Sequence, residues 1–93
     1  MKAIYNDKII AESDDTVFLE NNHYFPMGSI NKAYFSQSNT TSKCPWKGTA
    51  SYFTITVEGK INADAAWYYA IPSEKASTIA NRVAFWKGVQ IID

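Results

Sequence analysis

Strict alternation of side chains over residues 49–57 constrains the fold of this chain more than any other stretch. One set of alternate positions is Ser51, Phe53, Ile55 and Val57, and the other is Ala50, Tyr52, Thr54 and Thr56. Successive side chains of a β-strand point to opposite faces, and β-branched and aromatic residues favour strands. The segment is therefore predicted to be a half-buried strand, with one apolar face and one face that carries Tyr52 among smaller and more polar residues.

The residues just before this strand are predicted to form a fixed bend. Pro45 lacks an N–H group and restrains the conformation of Cys44, whereas Gly48 permits backbone angles that other residues resist. Trp46 and Lys47 lie between them, so residues 44–48, here called the corner, are expected to turn tightly at the mouth of the strand. Ligand contacts concentrate on loops that a rigid scaffold holds in place, and the corner is therefore the first candidate site.

Short apolar segments separated by turn residues recur along the chain and predict a mainly β protein. An N-terminal hairpin is expected from residues 2–5 and 8–11, and a C-terminal hairpin from residues 83–86 and 89–92. Further strands are expected at residues 16–20, 23–25 and 65–71. The polar residues 37–43 are predicted to form an exposed loop, because Ser, Thr and Asn favour turns.

One short α-helix is predicted near the C-terminus, over residues 73–81. Ser73 is a suitable N-cap, Glu74 would lie in the first turn, and Ala76 and Ile79 share a helical face. Together these elements predict two antiparallel sheets and one helix in a single domain that spans residues 1–93.

The composition narrows the classes of function. The 93 residues are 46% hydrophobic and 19% charged, which is typical of a globular chain. The formal net charge is zero, so we expect neither a nucleic-acid-binding surface nor a membrane-binding one. Aromatic residues make up 15% of the chain, a high share that predicts aromatic side chains at the surface or in a cavity.

The single cysteine and single histidine limit covalent and metal chemistry. One Cys excludes an internal disulfide, and one Cys with one His cannot supply the four ligands of a structural zinc site. We therefore predict no bound metal and no cofactor. The N-terminal residues lack the apolar run of a signal peptide, and a free thiol suits a reducing compartment, so the expected location is the cytoplasm.

Several motifs together resemble a known family. The most specific one is the corner with the start of the long strand, Cys44-Pro45-Trp46-Lys47-Gly48-Thr49-Ala50-Ser51-Tyr52. Weaker matches are Ala11-Glu12-Ser13, Leu19-Glu20, Tyr24-Phe25-Pro26, Ala66-Trp67-Tyr68, Pro72 and Val83-Ala84-Phe85. Over nearly its whole length the chain thus resembles the small bacterial family called Domain of Unknown Function 427. The resemblance implies a β-tent-like fold, in which two antiparallel sheets meet at an angle around a cleft.

The same family is often labelled a nucleotidyltransferase, but the residues do not favour that activity. Nucleotidyl transfer needs metal ions held by paired carboxylates, usually a Gly-Ser followed closely by an Asp-x-Asp. Gly28-Ser29 is present, yet the next carboxylate along the chain is Glu58. A phosphate-binding glycine loop is also missing from the sequence.

Six residues are candidates for a ligand-binding site: Cys44, Lys47, Tyr52, Trp67, Glu20 and Glu12. Lys47 would hold an anionic group, or else pair with Glu12 or Glu20 or lie in solvent. The carboxylates of Glu12 and Glu20 would act as acid and base, or else simply be exposed. The thiol of Cys44 would be reactive or would fill a gap in the core.

The aromatic candidates also allow two interpretations, one functional and one structural. Tyr52 and Trp67, like Tyr24 and Tyr69, would line the cleft and suit a flat or cationic ligand, or would instead pack in the core. The predicted function is therefore binding of a small molecule near the corner. The alternative is a homodimeric association module that uses its surplus aromatic side chains, and catalysis is left open by the sequence.

Overall fold

The computed structural model of the protein describes all residues, Met1–Asp93. Its strands are β1 (Lys2–Tyr5), β2 (Lys8–Glu12), β3 (Val17–Leu19), β4 (Asn22–Pro26), β5 (Phe35–Cys44), β6 (Gly48–Val57), β7 (Lys60–Tyr68), β8 (Arg82–Phe85) and β9 (Gln90–Ile92). Three short 3-10 helices cover Met27–Ser29, Lys32–Tyr34 and Glu74–Ile79. None of these helices is long and apolar enough to cross a membrane.

The strands form two antiparallel sheets, as the sequence predicts. One has three strands in the order β2-β1-β9, and the other has six in the order β3-β4-β8-β7-β6-β5. The N-terminal hairpin is confirmed, with β1 and β2 joined through Asn6 and Asp7 at φ 49° and 64°. The long alternating strand is confirmed as β6, which pairs with β5 on one side and β7 on the other.

Alternation along the strands gives the six-stranded sheet two different buried faces. Its inner face packs on the three-stranded sheet, through a cluster that includes Ile55 and Val57 of β6 and Ala3 of β1. Its outer face carries a second, smaller cluster of Tyr24, Ala50, Tyr69, Ala76, Ile79 and Ala84. Two of these residues belong to the 3-10 helix at Glu74–Ile79, so that helix covers part of the outer face.

The predicted α-helix at residues 73–81 is wrong, because the segment forms only the 3-10 helix Glu74–Ile79. Ala76 has a non-helical φ of −112° inside it, and the Ser73 side chain does not cap it. The Ser73 hydroxyl donates instead to the carbonyl of Trp46, and its N–H donates to the carbonyl of Lys47. Ser73, which the sequence suggests as a helix cap, therefore forms a tertiary contact with the corner instead.

The predicted loop at residues 37–43 is also wrong, because these residues belong to strand β5. This strand lies at the edge of the six-stranded sheet and pairs with β6 alone, with an irregular register between Gln37 and Thr41. Most of its residues are exposed. An edge strand that contributes little to a core does not need an apolar pattern, so its Ser- and Thr-rich sequence resembles that of a loop.

The predicted C-terminal hairpin is replaced by two strands in different sheets. Strand β8 lies between β4 and β7, whereas β9 pairs with β1. Lys87 and Gly88, at φ 52° and 84°, do form the expected turn. The chain leaves that turn toward the other sheet, because Ile91 packs on the inner core there.

Candidate functional site

A cavity of about 220 Å³ opens on the outer face of the six-stranded sheet. It is lined by Lys47, Tyr52, Trp67, Tyr69 and Trp86, and we call it the aromatic pocket. Tyr52 of β6 and Trp67 of β7 are cross-strand partners, so their side chains stand side by side on one face. Tyr69 follows Trp67 by two residues, and Trp86 comes directly after β8. The pocket therefore lies on the face turned away from the three-stranded sheet, not between the sheets.

Hydrogen bonds fix the orientation of both indole rings in the pocket. The Trp67 Nε1–H donates to the Tyr24 hydroxyl at 3.2 Å, and the Trp86 Nε1–H donates to the Asp64 carbonyl at 2.6 Å. The two rings meet edge to face, with centroids 6.0 Å apart and planes 86° apart. Because both N–H donors are already satisfied by the protein, the indoles offer mainly apolar ring surface to the cavity.

Asp64 holds Trp86 through an irregularity in strand β7. Its φ of 56° lies in the left-handed region, and the β6–β7 register shifts between Phe53 and Ile55 beside it. Thr40 donates a hydrogen bond to the Asp64 carboxylate at 2.8 Å. Hydrogen bonds from Ser38 and Thr40 keep the pKa of this carboxyl below its ordinary value. The bulge thus aims the Asp64 carbonyl at Trp86, and edge strand β5 stabilises it.

Lys47 reaches the pocket from the corner and forms an ion pair with Glu20. The Lys47 side chain is only 12% exposed, whereas that of Glu20 is 47% exposed. The Lys47 Nζ also lies 5.6 Å from the ring centroids of both Trp46 and Tyr69, a distance typical of cation–π contacts. The ammonium is thus enclosed by two aromatic rings and one carboxylate.

Glu20 occupies an unusual backbone position for its residue type. It forms the turn between β3 and β4 with Asn21, and the two residues have φ values of 50° and 64°. Two-residue turns of this kind favour Asn, Asp and Gly, because the left-handed region is sterically unfavourable for most other residues. The ion pair with Lys47 is one contact that offsets this local cost.

The charged pair is firmly ionised. The hydrogen bond from Lys47 holds the pKa of Glu20 below its ordinary value. Burial disfavours the charged form of Lys47, but the hydrogen bond to Glu20, helped by the charges of nearby groups, outweighs burial and raises the pKa of Lys47. Burial also raises the pKa of Tyr24 and of Tyr69. At neutral pH the site therefore holds an ammonium, a carboxylate and neutral phenols, and its protonated lysine is a hydrogen-bond donor, not a nucleophile.

The segment that follows β7 packs against the corner and stabilises its bend. The Ser73 N–H donates to the Lys47 carbonyl at 2.9 Å. Gly48 has a φ of 112°, and a side chain there would lie 3.5 Å from the carbonyl oxygen of Ile71. Only glycine adopts this backbone angle readily. The bend predicted from Pro45 and Gly48 is thus present, and the segment after β7 supports it.

The structure brings together some of the residues predicted from sequence and separates others. Lys47, Tyr52 and Trp67 line the pocket, and Glu20 adjoins it through Lys47. Cys44 packs against the outer core cluster and does not line the cavity. Glu12 is exposed on β2, opposite Lys2 in the three-stranded sheet, and is therefore remote from the pocket. Their roles in binding stay predictions.

Sequence reasoning missed one lining residue and undervalued another. The predicted C-terminal hairpin includes Trp86 and therefore does not indicate that this residue lies on the outer face. Its separation of two residues from Ala84, on a strand beside β7, was the signal that would have found it. Tyr69 belongs to the alternating aromatic residues, but it is not among the six candidates that the sequence indicates.

No group of three or more His, Cys, Asp or Glu side chains is placed to hold a metal ion.

The fold and the site define a small two-sheet β protein with an aromatic, lysine-containing pocket on one sheet face. The sequence model of a family described as a domain of unknown function, DUF427 or NTP_transf_9, matches residues 1–92, and the chain belongs to this family. The resemblance noted from the motifs is thereby confirmed. A comparison with curated proteins finds no match.

Proposed function

We propose that this protein binds a small, flat molecule in the aromatic pocket. The observation that carries the proposal is the position of the tryptophans. The chain contains three, of which Trp67 and Trp86 line the cavity and Trp46 lies against Lys47 at its edge. Trp86 is 47% exposed, so part of its apolar surface is in contact with water until an occupant covers it.

The shape of the pocket favours a single ring or a compact pair of rings. A volume of about 220 Å³ equals the space of roughly seven water molecules at about 30 Å³ each. The edge-to-face indoles and the neighbouring tyrosines give a flat molecule both ring faces and ring edges to contact. Since hydrogen bonds hold both indoles, little side-chain ordering is needed on binding, which favours affinity.

The setting of this activity follows from the family and the composition. We infer a bacterial, cytoplasmic protein in which the two sheets meet in the tent-like arrangement that the resemblance implies. An occupant on the outer face of the larger sheet would not need to part the two sheets. Binding would therefore leave the inner core undisturbed.

A homodimer formed through aromatic surface is the alternative function. Exposed apolar side chains near the corner favour it, because Ile71 is 90% exposed and Trp46 is 37% exposed. Sedimentation over a wide concentration range separates the two functions. A monomer that responds to flat molecules supports ligand binding, whereas a tight dimer that no flat molecule perturbs supports association.

The test of ligand binding uses the tryptophans themselves, since all three lie at or beside the pocket. A panel of small aromatic and heteroaromatic compounds is titrated while tryptophan fluorescence and thermal unfolding are recorded. A ligand at about 100 times its Kd adds about 2.7 kcal/mol to the free energy of unfolding, which raises the melting temperature by at least about 10 °C in a chain of this size.

Two variants make this test specific for the pocket. Trp86→Ala should abolish the response, because it removes one wall. Ile61→Ala is the matched control, since Ile61 is 70% exposed on β7 and does not line the cavity. Compounds that bind the parent and the Trp86→Ala variant equally well would contradict the proposed pocket.

A further inference from the structure

We propose that the occupant of the aromatic pocket is a planar anion of the aromatic carboxylate class, bound through Lys47 in competition with Glu20. This inference rests on the proposed function and adds the charge of the ligand to it. It is carried by the positions of the charged groups around the aromatic rings.

A cationic ligand is disfavoured because the chain already supplies cations to these rings. The Lys47 Nζ lies 5.6 Å from the centroids of Trp46 and Tyr69, and the Lys87 Nζ lies 5.0 Å from the centroid of Trp86. Two of the four rings that line the pocket, those of Tyr69 and Trp86, therefore already have a lysine of the protein beside them. A second cation would gain little from the rings and would be repelled by the Lys47 ammonium.

An anion, by contrast, finds free hydrogen-bond donors in the pocket. The Lys47 ammonium has three donors and makes one side-chain hydrogen bond, to Glu20. Tyr69 also lines this cavity, and its ring centroid lies 5.6 Å from the Lys47 Nζ. The indole N–H groups of Trp67 and Trp86 are both committed to protein acceptors. A carboxylate is thus best placed beside Lys47 and Tyr69, with its ring against the indole surfaces that line the cavity.

Glu20 is the built-in competitor for such an anion. Its carboxylate holds the Lys47 ammonium at the pocket and would repel a second carboxylate nearby. It is also 47% exposed and lies on a surface turn, so it can move into solvent without opening a core. Removing its charge should therefore strengthen the binding of an anion and should have little effect on a neutral molecule.

The test uses three probes of nearly equal shape and different charge: benzoate, benzamide and benzamidine. Each is titrated into the intact protein at neutral pH, and binding is followed by tryptophan fluorescence and calorimetry. Benzoate should bind at least about tenfold more tightly than benzamide, because it forms an ion pair with the Lys47 ammonium, whereas benzamide offers only a neutral carbonyl. Benzamidine should bind most weakly of the three.

Variants of the ion pair then identify the residues responsible. Glu20→Gln should tighten benzoate binding by about 1.4- to fivefold, the range expected for release of one partly exposed ion pair. Lys47→Met should abolish the preference for benzoate over benzamide, and Lys47→Arg should retain it. Glu58→Gln is the matched control and should change nothing, because Glu58 pairs with Lys8 and does not line the pocket. Thermal unfolding of each variant establishes that it is folded.

The possible outcomes separate this inference from the proposed function. If benzamide or benzamidine binds as tightly as benzoate, the pocket binds flat molecules but the inference about charge is overturned. If Glu20→Gln leaves benzoate binding unchanged, competition by Glu20 is overturned. If none of the three probes is bound, the inference is overturned, whereas the proposed function fails only if the wider panel of aromatic and heteroaromatic compounds also gives no response.

Discussion

Two lysine–glutamate ion pairs in this molecule have their glutamates at equivalent turn positions but differ in how far their side chains are buried. Glu20 and Glu58 each occupy the first position of a two-residue turn, and both have a φ of 50°. The Lys8 Nζ lies 3.7 Å from the Glu58 Oε1. The Lys8 side chain is 49% exposed and that of Glu58 is 64% exposed. Exposed pairs of this kind contribute little to stability.

The Lys47–Glu20 pair has the same chemistry in a different environment. The Lys47 side chain is 12% exposed and packs between the rings of Trp46 and Tyr69. The methylene groups of a lysine gain from such packing while its ammonium keeps a polar partner. The comparison teaches that the surrounding rings, and not the residue types or the turn, distinguish a candidate binding group from a surface ion pair.

The largest expected effect comes from the glycines beside the two pairs. Gly48→Ala should lower the free energy of unfolding by about 2 kcal/mol or more, since its φ of 112° lies beyond the usual left-handed region. Gly59→Ala, at a φ of 79° with no atoms nearby, should cost only about 1 kcal/mol. Urea unfolding of both variants measures the difference. Equal losses would mean that the corner is no more constrained than an ordinary surface turn.

The next effect comes from shortening the two lysines. Lys47→Ala should lower the free energy of unfolding by about 1–2 kcal/mol, because it removes buried methylene groups along with the charge. Lys8→Ala should change it by less than about 0.5 kcal/mol, as expected for an exposed side chain. Chemical unfolding of the two variants under identical conditions is the measurement. A loss at Lys8 as large as that at Lys47 would remove the distinction between the pairs.

The smallest expected effect is a dependence on pH. The folded pKa of Glu20 lies below its ordinary value of 4.5, so its ion pair contributes stability that is fully present above about pH 4.5. That contribution is lost as the pH falls through the lower, folded pKa. The stability difference between the parent and Glu20→Gln should therefore be constant near neutral pH and should shrink in acid.

Thermal unfolding of the parent and the Glu20→Gln variant across this pH range provides the measurement. An NMR titration of the Glu20 carboxyl carbon supplies the folded pKa directly. A stability difference that grew toward acid pH would have the wrong sign for a depressed pKa, and it would contradict the ion pair as described.

Much of the framework was predictable because it depends on local patterns. Alternation over residues 49–57 predicts β6, the pair Asn6 and Asp7 predicts the N-terminal turn, and Pro45 with Gly48 predicts the corner. Each of these signals lies within a few residues of the structure that it specifies. The motif at the corner likewise indicates the family without reference to any tertiary contact.

The failures concern segments whose structure depends on distant partners. Residues of β5 have a loop-like composition and form a strand because β6 lies beside them. Ser73 looks like a helix cap and instead donates hydrogen bonds to the carbonyls of Trp46 and Lys47. Residues 83–86 and 89–92 suit a hairpin, but β8 and β9 pair with strands of two different sheets.

Local sequence patterns therefore specify a mainly β chain, the long strand β6, the bend before that strand and the presence of Lys47 on the bend. The place of Trp86 in the pocket and the pairing of Lys47 with Glu20, 27 residues away in the chain, depend on the packing of distant segments. The physical reason is that side-chain alternation and backbone restriction act between near neighbours. The order of strands in a sheet, which brings aromatic rings and charges together, is decided by burial across the whole chain.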